Sequence, residues 1–419
     1  MHGLRAIILA AGKGTRMKSL RPKVLHEVCG RPIISYVMDI ASAVGSLKTY
    51  VVVGHQADVV KDFLGSNIAV VEQKRLLGTA DAVRCTEGLL KGYRGDVLLL
   101  CGDTPLLDKA VVKRLVRRHK ARSAVCSLLT CFVDNPTGYG RIIRNSSGNI
   151  IAIREEKDAS SEEKKVNEIN VGVYCVNAPE LFKALSCVEI NKKKKEFYLT
   201  DIIAMFASKG LKVQTVETSD PVEGLGINTR EDLASAERLM RYRILRHFML
   251  GGVTIVDPLT TYIAADVKIG QDTVIRPFTF IENNVKVGRN CIIGPFCRLR
   301  PGTRIGNDVS IGNFTEVSRT KIADMTKMMH FSYLGDSIVG AGVNIGAGTI
   351  TANYDGKNKN VTQICNGAFI GCDSILIAPV KIGKNAVTGA GSVVTRGKDV
   401  PAGSVAVGVP AKVVGKRKY

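Results

Sequence analysis

The chain contains no tryptophan, no Cys-x-x-C pair and only six histidines in 419 residues. Each shortage excludes a kind of chemistry. Eleven cysteines scattered from Cys29 to Cys372 are odd in number and follow no framework spacing, which argues against a disulfide scaffold and for a reducing compartment. No stretch approaches the roughly 18 apolar residues of a membrane span, and the apolar run at 6–11 is too short for the core of a secretory signal. The expected location is therefore cytoplasmic, with no membrane partner. Acidic residues are also short, 38 against 59 Lys and Arg, for a formal charge of +21. That balance invites nucleic acid, yet the basic clusters at 113–122, 192–195 and 412–418 carry no interleaved aromatics. No nucleic-acid partner is expected. The same excess of positive charge raises the local concentration of small phosphorylated ligands.

What is present is a globular composition, 45% hydrophobic and 23% charged, long enough for two or three domains. An aliphatic strand at 6–9 runs into Leu9-Ala10-Ala11-Gly12-Lys13-Gly14-Thr15-Arg16-Met17, followed by Pro22-Lys23. Gly12 and Gly14 let backbone amides approach a polyphosphate, while Lys13, Arg16 and Lys23 bring cations to it. The loop is not a Walker A motif, since Gly14 follows Lys13 where Ser or Thr is required, and it lacks the G-x-G-x-x-G fingerprint. Up to residue 228, β-rich runs at 6–9, 49–53, 97–100, 124–129 and 171–176 alternate with helical patterns at 33–43 and 110–120. This alternation implies an α/β domain with a Rossmann-like, mostly parallel sheet. Ligands of such sheets gather at strand carboxyl ends, where the glycine loop and Gly102-Asp103 both fall. Asn228 or Thr229 is placed to cap a helix reaching about residue 250, acidic in its first turn and basic later.

Beyond that helix the period changes. Ile263, Ile269, Ile275, Ile281, Val287, Ile293, Leu299, Ile305, Ile311 and Val317 are ten aliphatics spaced by six. A six-residue repeat marks a parallel β-helix, whose coils stack their aliphatics into one core. Cys291 and Cys297 fall at small-residue positions of the repeat and read as packing thiols. The phase slips at 318–338, resumes with Val339 and Ile345, and is interrupted again at 353–362. Function is expected there, because loops that leave a rigid solenoid are where sites are built.

The glycine loop resembles the L-A-A-G-x-G-T-R-M signature, with P-K close behind, of the sugar nucleotidylyltransferases. The likeness continues through Pro22-Lys23-Val24-Leu25-His26, Gln73, Leu77-Gly78-Thr79-Ala80, Gly102-Asp103-Thr104-Pro105-Leu106, Asn135-Pro136-Thr137-Gly138-Tyr139-Gly140-Arg141-Ile142 and Glu168-Ile169-Asn170. This order and spacing resembles the bacterial bifunctional N-acetylglucosamine-1-phosphate uridylyltransferases and glucosamine-1-phosphate N-acetyltransferases, over nearly the whole chain. The resemblance implies a nucleotidylyltransferase domain at 1–228, a linker helix at 229–250, and a left-handed parallel β-helix of hexapeptide repeats at 251–419 with a basic tail. It implies nucleotide binding by Leu9, Ala10, Ala11, Gly12, Lys23, Gln73, Gly78, Thr79, Gly102 and Asp103, with Arg16 and Lys23 offsetting phosphate charge in catalysis. UTP is the implied cosubstrate. Mg²⁺ is implied at Asp103 and Asn228, a sparse set of protein oxygens that phosphates and waters complete. Gly140, Glu155, Asn170 and Asn228 are implied to hold N-acetylglucosamine 1-phosphate. Taken singly, Asp103 reads equally as a helix cap and Glu155 as a surface carboxylate.

In the second half, residues 330–336 and 343–359 resemble the acetyltransferase site of the same family. The resemblance makes His330 the general base toward the amine of glucosamine 1-phosphate, a role that suits imidazole. It makes Arg300, Tyr333, Asn344 and Lys359 contacts of that substrate, and Ala347, Asn353, Tyr354, Cys372 and Ala390 contacts of acetyl-CoA. Zinc is not expected, because such a site needs three imidazoles and His330 is the only histidine after His247. Four departures stand out. Cys101 stands where many relatives have Tyr, Ser318 where the family has a phosphate-contacting lysine, and Cys372 where it has serine. Gly408-Val409-Pro410 replaces an arginine-bearing end. The resemblance implies a homotrimer with two activities. The alternatives are a uridylyltransferase whose solenoid only trimerises the chain, and a scaffold that offers its basic tail to an acidic partner.

Overall fold

A computed structural model describes residues 3–193, 195–218 and 220–417, so Lys194 and Lys418 of the basic clusters lie outside the described residues. The chain divides into two compact units, Met1–Glu237 and Arg238–Tyr419.

The first unit is built on a nine-stranded sheet of β1 (Arg5–Ala10), β2 (Lys48–Val53), β3 (Ala69–Glu72), β4 (Asp96–Cys101), β5 (Cys126–Phe132), β6 (Arg141–Arg144), β7 (Ile150–Arg154), β8 (Glu168–Asn177) and β9 (Val213–Glu217). Seven strands lie in the order β9-β5-β8-β4-β1-β2-β3, and the hairpin β6–β7 attaches to β8. Neighbours in the row are parallel except at β8, which runs antiparallel to both β4 and β5. The inner strands are aliphatic without polar alternation because helices cover both faces. In β4, Leu98 and Leu100 enter one core and Val97 and Leu99 the other, none more than 1% exposed. Burying each such side chain is worth about 1.5–3 kcal/mol. β8 breaks register between Asn170 and Tyr174, with Gly172 at φ 80°, a bulge of the kind that re-aims side chains beside a site.

The helix Arg230–Leu250 opens on a reciprocal cap. Thr229 Oγ1 accepts from Asp232 N at 3.0 Å, while Asp232 Oδ2 accepts from Thr229 N at 2.8 Å. Thr229 is thus the cap, and the Asn228 side chain is left for other work. No helix among the described residues is long and apolar enough to cross a membrane.

The second unit is a β-helix with three faces, sheets of ten, eight and seven strands. In the early coils ladder partners lie eighteen residues apart, Ile275 on Ile293 and Ile293 on Ile311. The repeating aliphatics fill one core, Ile269 alone among the ten being only partly buried. Cys291 and Cys297 are buried in it, and burial pushes the Cys297 thiol up to about 12.

The expected break at 318–338 is not a loop. Val317 pairs with Leu334, Ile322 with Val339 and Met328 with Ile345, so inward residues continue as Val317, Ile322, Met328, Leu334, Val339 and Ile345. The repeat only shortens two of its corners to five residues. The second interruption is a true excursion: Asn360 N donates to Asn353 O at 2.7 Å to close it, and Val339 then pairs with Ile364. The final strand, Ala411–Lys416, folds back antiparallel on Ser404–Gly408.

Candidate functional site

Lys23, Asp103 and Asn228 meet at one point in the first unit. Lys23 Nζ donates to Asp103 Oδ2 at 2.5 Å and to Asn228 Oδ1 at 3.1 Å. Asn228 Nδ2 donates to Gly226 O at 3.1 Å, which aims its Oδ1 at the cation, and Ile227 N donates to Asp103 O at 2.9 Å. Two hard oxygens sharing one cation form the donor set Mg²⁺ accepts. Among the described residues no three His, Cys, Asp or Glu side chains gather to favour another metal.

The glycine loop is shaped by contacts as well as freedom. A Cβ at Gly102 would fall 2.9 Å from Leu9 O, so β4 can leave the sheet this close to β1 only as glycine. Gly14 has φ 60°, and a Cβ there would lie 2.9 Å from Lys23 Cβ, whereas a Cβ at Gly12 meets nothing within 4 Å. Gly14 therefore serves the turn, and Gly12 keeps the open side clear. Ala10 and Ala11 are buried, Leu9 is half-buried, and Lys13 and Arg16 are exposed. Arg230 Nε donates to Met17 O at 3.2 Å, and its Nη1 contacts His26 Nδ1 at 3.2 Å. Burial and the Arg230 charge lower the His26 pKa, keeping its imidazole neutral as the acceptor. No sequence signal marks this tie, because some 204 residues separate Arg230 from His26.

Three of the residues expected to bind the nucleotide, Gln73, Gly78 and Thr79, lie together. Gln73 is buried, and its Nε2 donates to Gly78 O at 3.1 Å and to Asp81 Oδ2 at 2.7 Å. Since a carboxylate only accepts, the amide cannot flip, and Oε1 is what Gln73 offers a ligand. Gly78 has φ 105°, and a Cβ there would strike Phe197 O at 2.6 Å. Thr79 is exposed, its Oγ1 accepting from Leu199 N at 3.0 Å. Gly140, Glu155 and Asn170 also converge: a Cβ on Gly140 would lie 3.7 Å from both Glu155 Oε1 and Asn170 Cβ. Asn170 is locked by Tyr174 OH at 2.6 Å and Gly172 N at 3.0 Å. Cys101 Sγ donates to Gly172 O at 3.5 Å, so the residue that replaces Tyr packs against the bulge.

In the second unit the ladder runs straight through Met328, Ile345, Ile370 and Thr388. Two residues beyond each stand His330, Ala347, Cys372 and Ala390, one per coil on the same corner and about 4.8 Å apart. The proposed base and three coenzyme residues thus form one line. His330, Cys372 and Ala390 are exposed. Glycines support the line from the coil before: a Cβ on Gly346 would fall 2.6 Å from Cys372 N, and one on Gly371 2.7 Å from Ala390 N.

The face beyond this corner carries Tyr333 in a groove of about 540 Å³ lined by Phe296, Phe314, Glu316, Phe331 and Ile350. Tyr333 OH and Asn353 Nδ2 lie together over Gly335. Arg300 Nη1 donates to Glu316 Oε1 at 2.9 Å. Asn344 lies on the ten-stranded face rather than with Tyr333 on the eight-stranded one. Tyr354 and Lys359 are exposed and paired across the excursion. Ser318, at the family's lysine position, is fully buried and accepts from Arg319 Nη1 at 2.8 Å. Arg319 in turn grips Asp336 at 2.6 and 2.8 Å, so it is not a free cation that replaces the lysine.

Residues 6–145 match the model of the MobA-like NTP transferase domain, and residues 284–319 and 362–396 match that of the bacterial transferase hexapeptide (six repeats). The gap between the latter two opens within the first shortened corner and holds the second and the excursion that Asn360 closes on Asn353. Fold and sites together define a nucleotidyltransferase joined to a hexapeptide transferase. The Bifunctional protein GlmU of Shouchella clausii is 42% identical over 100% of this chain and 99% of its own. Those of a Geobacillus species and of Bacillus subtilis are 43% and 42% identical, each over 99% of this chain and 97% of theirs. The chain belongs to the bifunctional GlmU family.

Proposed function

We propose that the first unit transfers the uridylyl group of UTP to N-acetylglucosamine 1-phosphate, releasing pyrophosphate, and that the second acetylates the amine of glucosamine 1-phosphate from acetyl-CoA. The observation that carries the first reading is the convergence of Lys23, Asp103 and Asn228. Attack of one phosphate oxygen on the α-phosphorus needs positioning and charge neutralisation more than a protein nucleophile. Backbone amides of the glycine loop cradle the triphosphate, and Arg16 and Lys23 neutralise it. Gln73 Oε1 accepts from uracil N3–H, while Gly140, Glu155 and Asn170 hold the sugar. Asp103 and Asn228 are the residues that would hold Mg²⁺, which supplies further neutralisation of phosphate charge when bound.

For the second reaction, His330 takes the proton of the attacking amine, Tyr333, Arg300 and Lys359 bind the sugar phosphate, and the corner through Ala347, Cys372 and Ala390 carries the coenzyme. Asn344 approaches from the neighbouring face. The working form is a homotrimer, a reading supported by an exposed ladder of Phe278, Phe296 and Phe314 stacked at 4.8 and 5.0 Å. Eleven free thiols support a cytoplasmic setting. The test is one protein and two assays: pyrophosphate release from UTP with N-acetylglucosamine 1-phosphate, and thiol release from acetyl-CoA with glucosamine 1-phosphate. Pyrophosphate release without thiol release would leave the solenoid a scaffold.

A further inference from the structure

We infer that Arg319 and Asp336 form a positioning pair that fixes which way the Asn353 amide faces, turning its oxygen toward the amine to be acetylated; this rests on the acetyltransferase reading. Asn353 Nδ2 donates to Asp336 Oδ2. Because an ionised carboxylate has no proton to give, it accepts only the NH₂ side of the amide, and Oδ1 must face the other way. Among the described residues no donor engages that oxygen. Oδ1 is thus the side-chain acceptor of Asn353 left for a ligand, while Nδ2 is the atom that lies with Tyr333 OH over Gly335.

The direction of the amide is only as secure as the charge and the place of Asp336, and Arg319 secures both. Its planar fork meets both carboxylate oxygens, Nε to Oδ1 at 2.6 Å and Nη2 to Oδ2 at 2.8 Å, the two-point geometry that fixes orientation as well as distance. Arg319 first, and Asn353 after it, hold the Asp336 carboxyl below its ordinary range. Ser318 completes the device. Its buried hydroxyl accepts the remaining guanidinium edge, and its carbonyl accepts from Asp336 N at 3.0 Å. A longer side chain at 318 would remove that third anchor. The serine that departs from the family pattern therefore belongs to the clamp rather than to the phosphate site. An amine held by a fixed acceptor keeps its lone pair aimed at the thioester, which is a matter of orientation and not of affinity.

The test is a swap cycle on the full-length protein, with uridylyl transfer as internal standard for folded enzyme. Asp336→Asn lets the two amides pair either way and should lower acetyl-transfer kcat by roughly 10- to 100-fold, the loss of one charge-assisted hydrogen bond, with KM for glucosamine 1-phosphate within a few-fold of wild type. Asn353→Asp alone sets two carboxylates together and should lose at least as much. The double exchange, Asp336→Asn with Asn353→Asp, puts a donor opposite a carboxylate again and should regain at least tenfold in kcat over either single variant. A wild-type kcat in Asp336→Asn, a loss confined to KM, or no recovery in the exchange would overturn the pair's role. No acetyl transfer by the wild type would instead remove the reading on which it rests.

Discussion

Replacing Gly312 by alanine should move His330, the proposed catalytic base, without touching it. The backbone of Gly312 is not in the left-handed region, so alanine carries no torsional penalty there, but its Cβ would collide with the Met329 carbonyl and lie 2.7 Å from Met329 Cα. Carbon atoms pack at about 3.5–4.0 Å, which asks Met329, and His330 bonded to it, to shift by about 1 Å. Backbone cannot swing aside as a side-chain tip does. A misplacement of that size at a reacting centre costs roughly 10²-fold in rate. Thiol release from acetyl-CoA should fall by that factor while pyrophosphate release from UTP stays constant, since the latter site is in the other unit. Gly415→Ala, whose Cβ meets nothing within 4 Å, is the control and should leave both rates unchanged. Acetyl transfer within threefold of wild type in Gly312→Ala would refute the claim that this glycine sets the height of His330.

Asp103→Asn should abolish most pyrophosphate release while acetyl transfer persists, and equal loss of both would point to unfolding instead. His330→Ala should lower acetyl transfer by roughly 10²- to 10⁴-fold with uridylyl transfer intact; thiol release at the wild-type rate would take His330 out of the mechanism. UTP should be preferred to CTP by at least roughly 10²-fold in kcat/KM, because Gln73 offers an acceptor where cytosine also offers one; comparable turnover would contradict the assignment. Since Arg319 lowers the Asp336 pKa, the stability this pair adds is fully present above the ordinary carboxylate range, near pH 4, and is lost as pH falls through the lowered folded value. The melting-temperature gap between wild type and Arg319→Ala should accordingly be full at pH 7 and close as pH falls below the ordinary carboxylate range, and a gap that persists in acid would show that packing, not charge, is what Arg319 supplies.

The solenoid was legible because every sixth residue faces inward, a constraint that survives in sequence as Ile, Val or Leu. Its two shortened corners looked like a lost repeat, since nothing in Val317 to Val339 says whether a missing residue is absorbed in a turn or marks a loop. Strands β1, β2 and β4 announced themselves as doubly buried aliphatic runs. β6, β7 and β9 did not, because edge and hairpin strands are half polar and alternate weakly. The reversed direction of β8 depends on the hairpin before it, a tertiary fact without a local signal. Candidate site residues were legible where a motif is continuous, as in Gly102-Asp103. Arg230 and Asp336 were missed, because each works by holding another residue that lies far off in sequence or across a coil.

The corner that carries His330, Ala347, Cys372 and Ala390 has one further property. Its residues are separated by the backbone ladder, so distances along it come in whole steps of about 4.8 Å and in no fraction of one. Such a corner acts as a ruler with fixed graduations. A change in the reach of the coenzyme end requires a coil gained or lost, whereas the excursion at 353–360 can vary by single residues without disturbing the marks. Tuning for the acceptor and tuning for the donor are thereby assigned to different kinds of mutation, gradual for one and stepwise for the other.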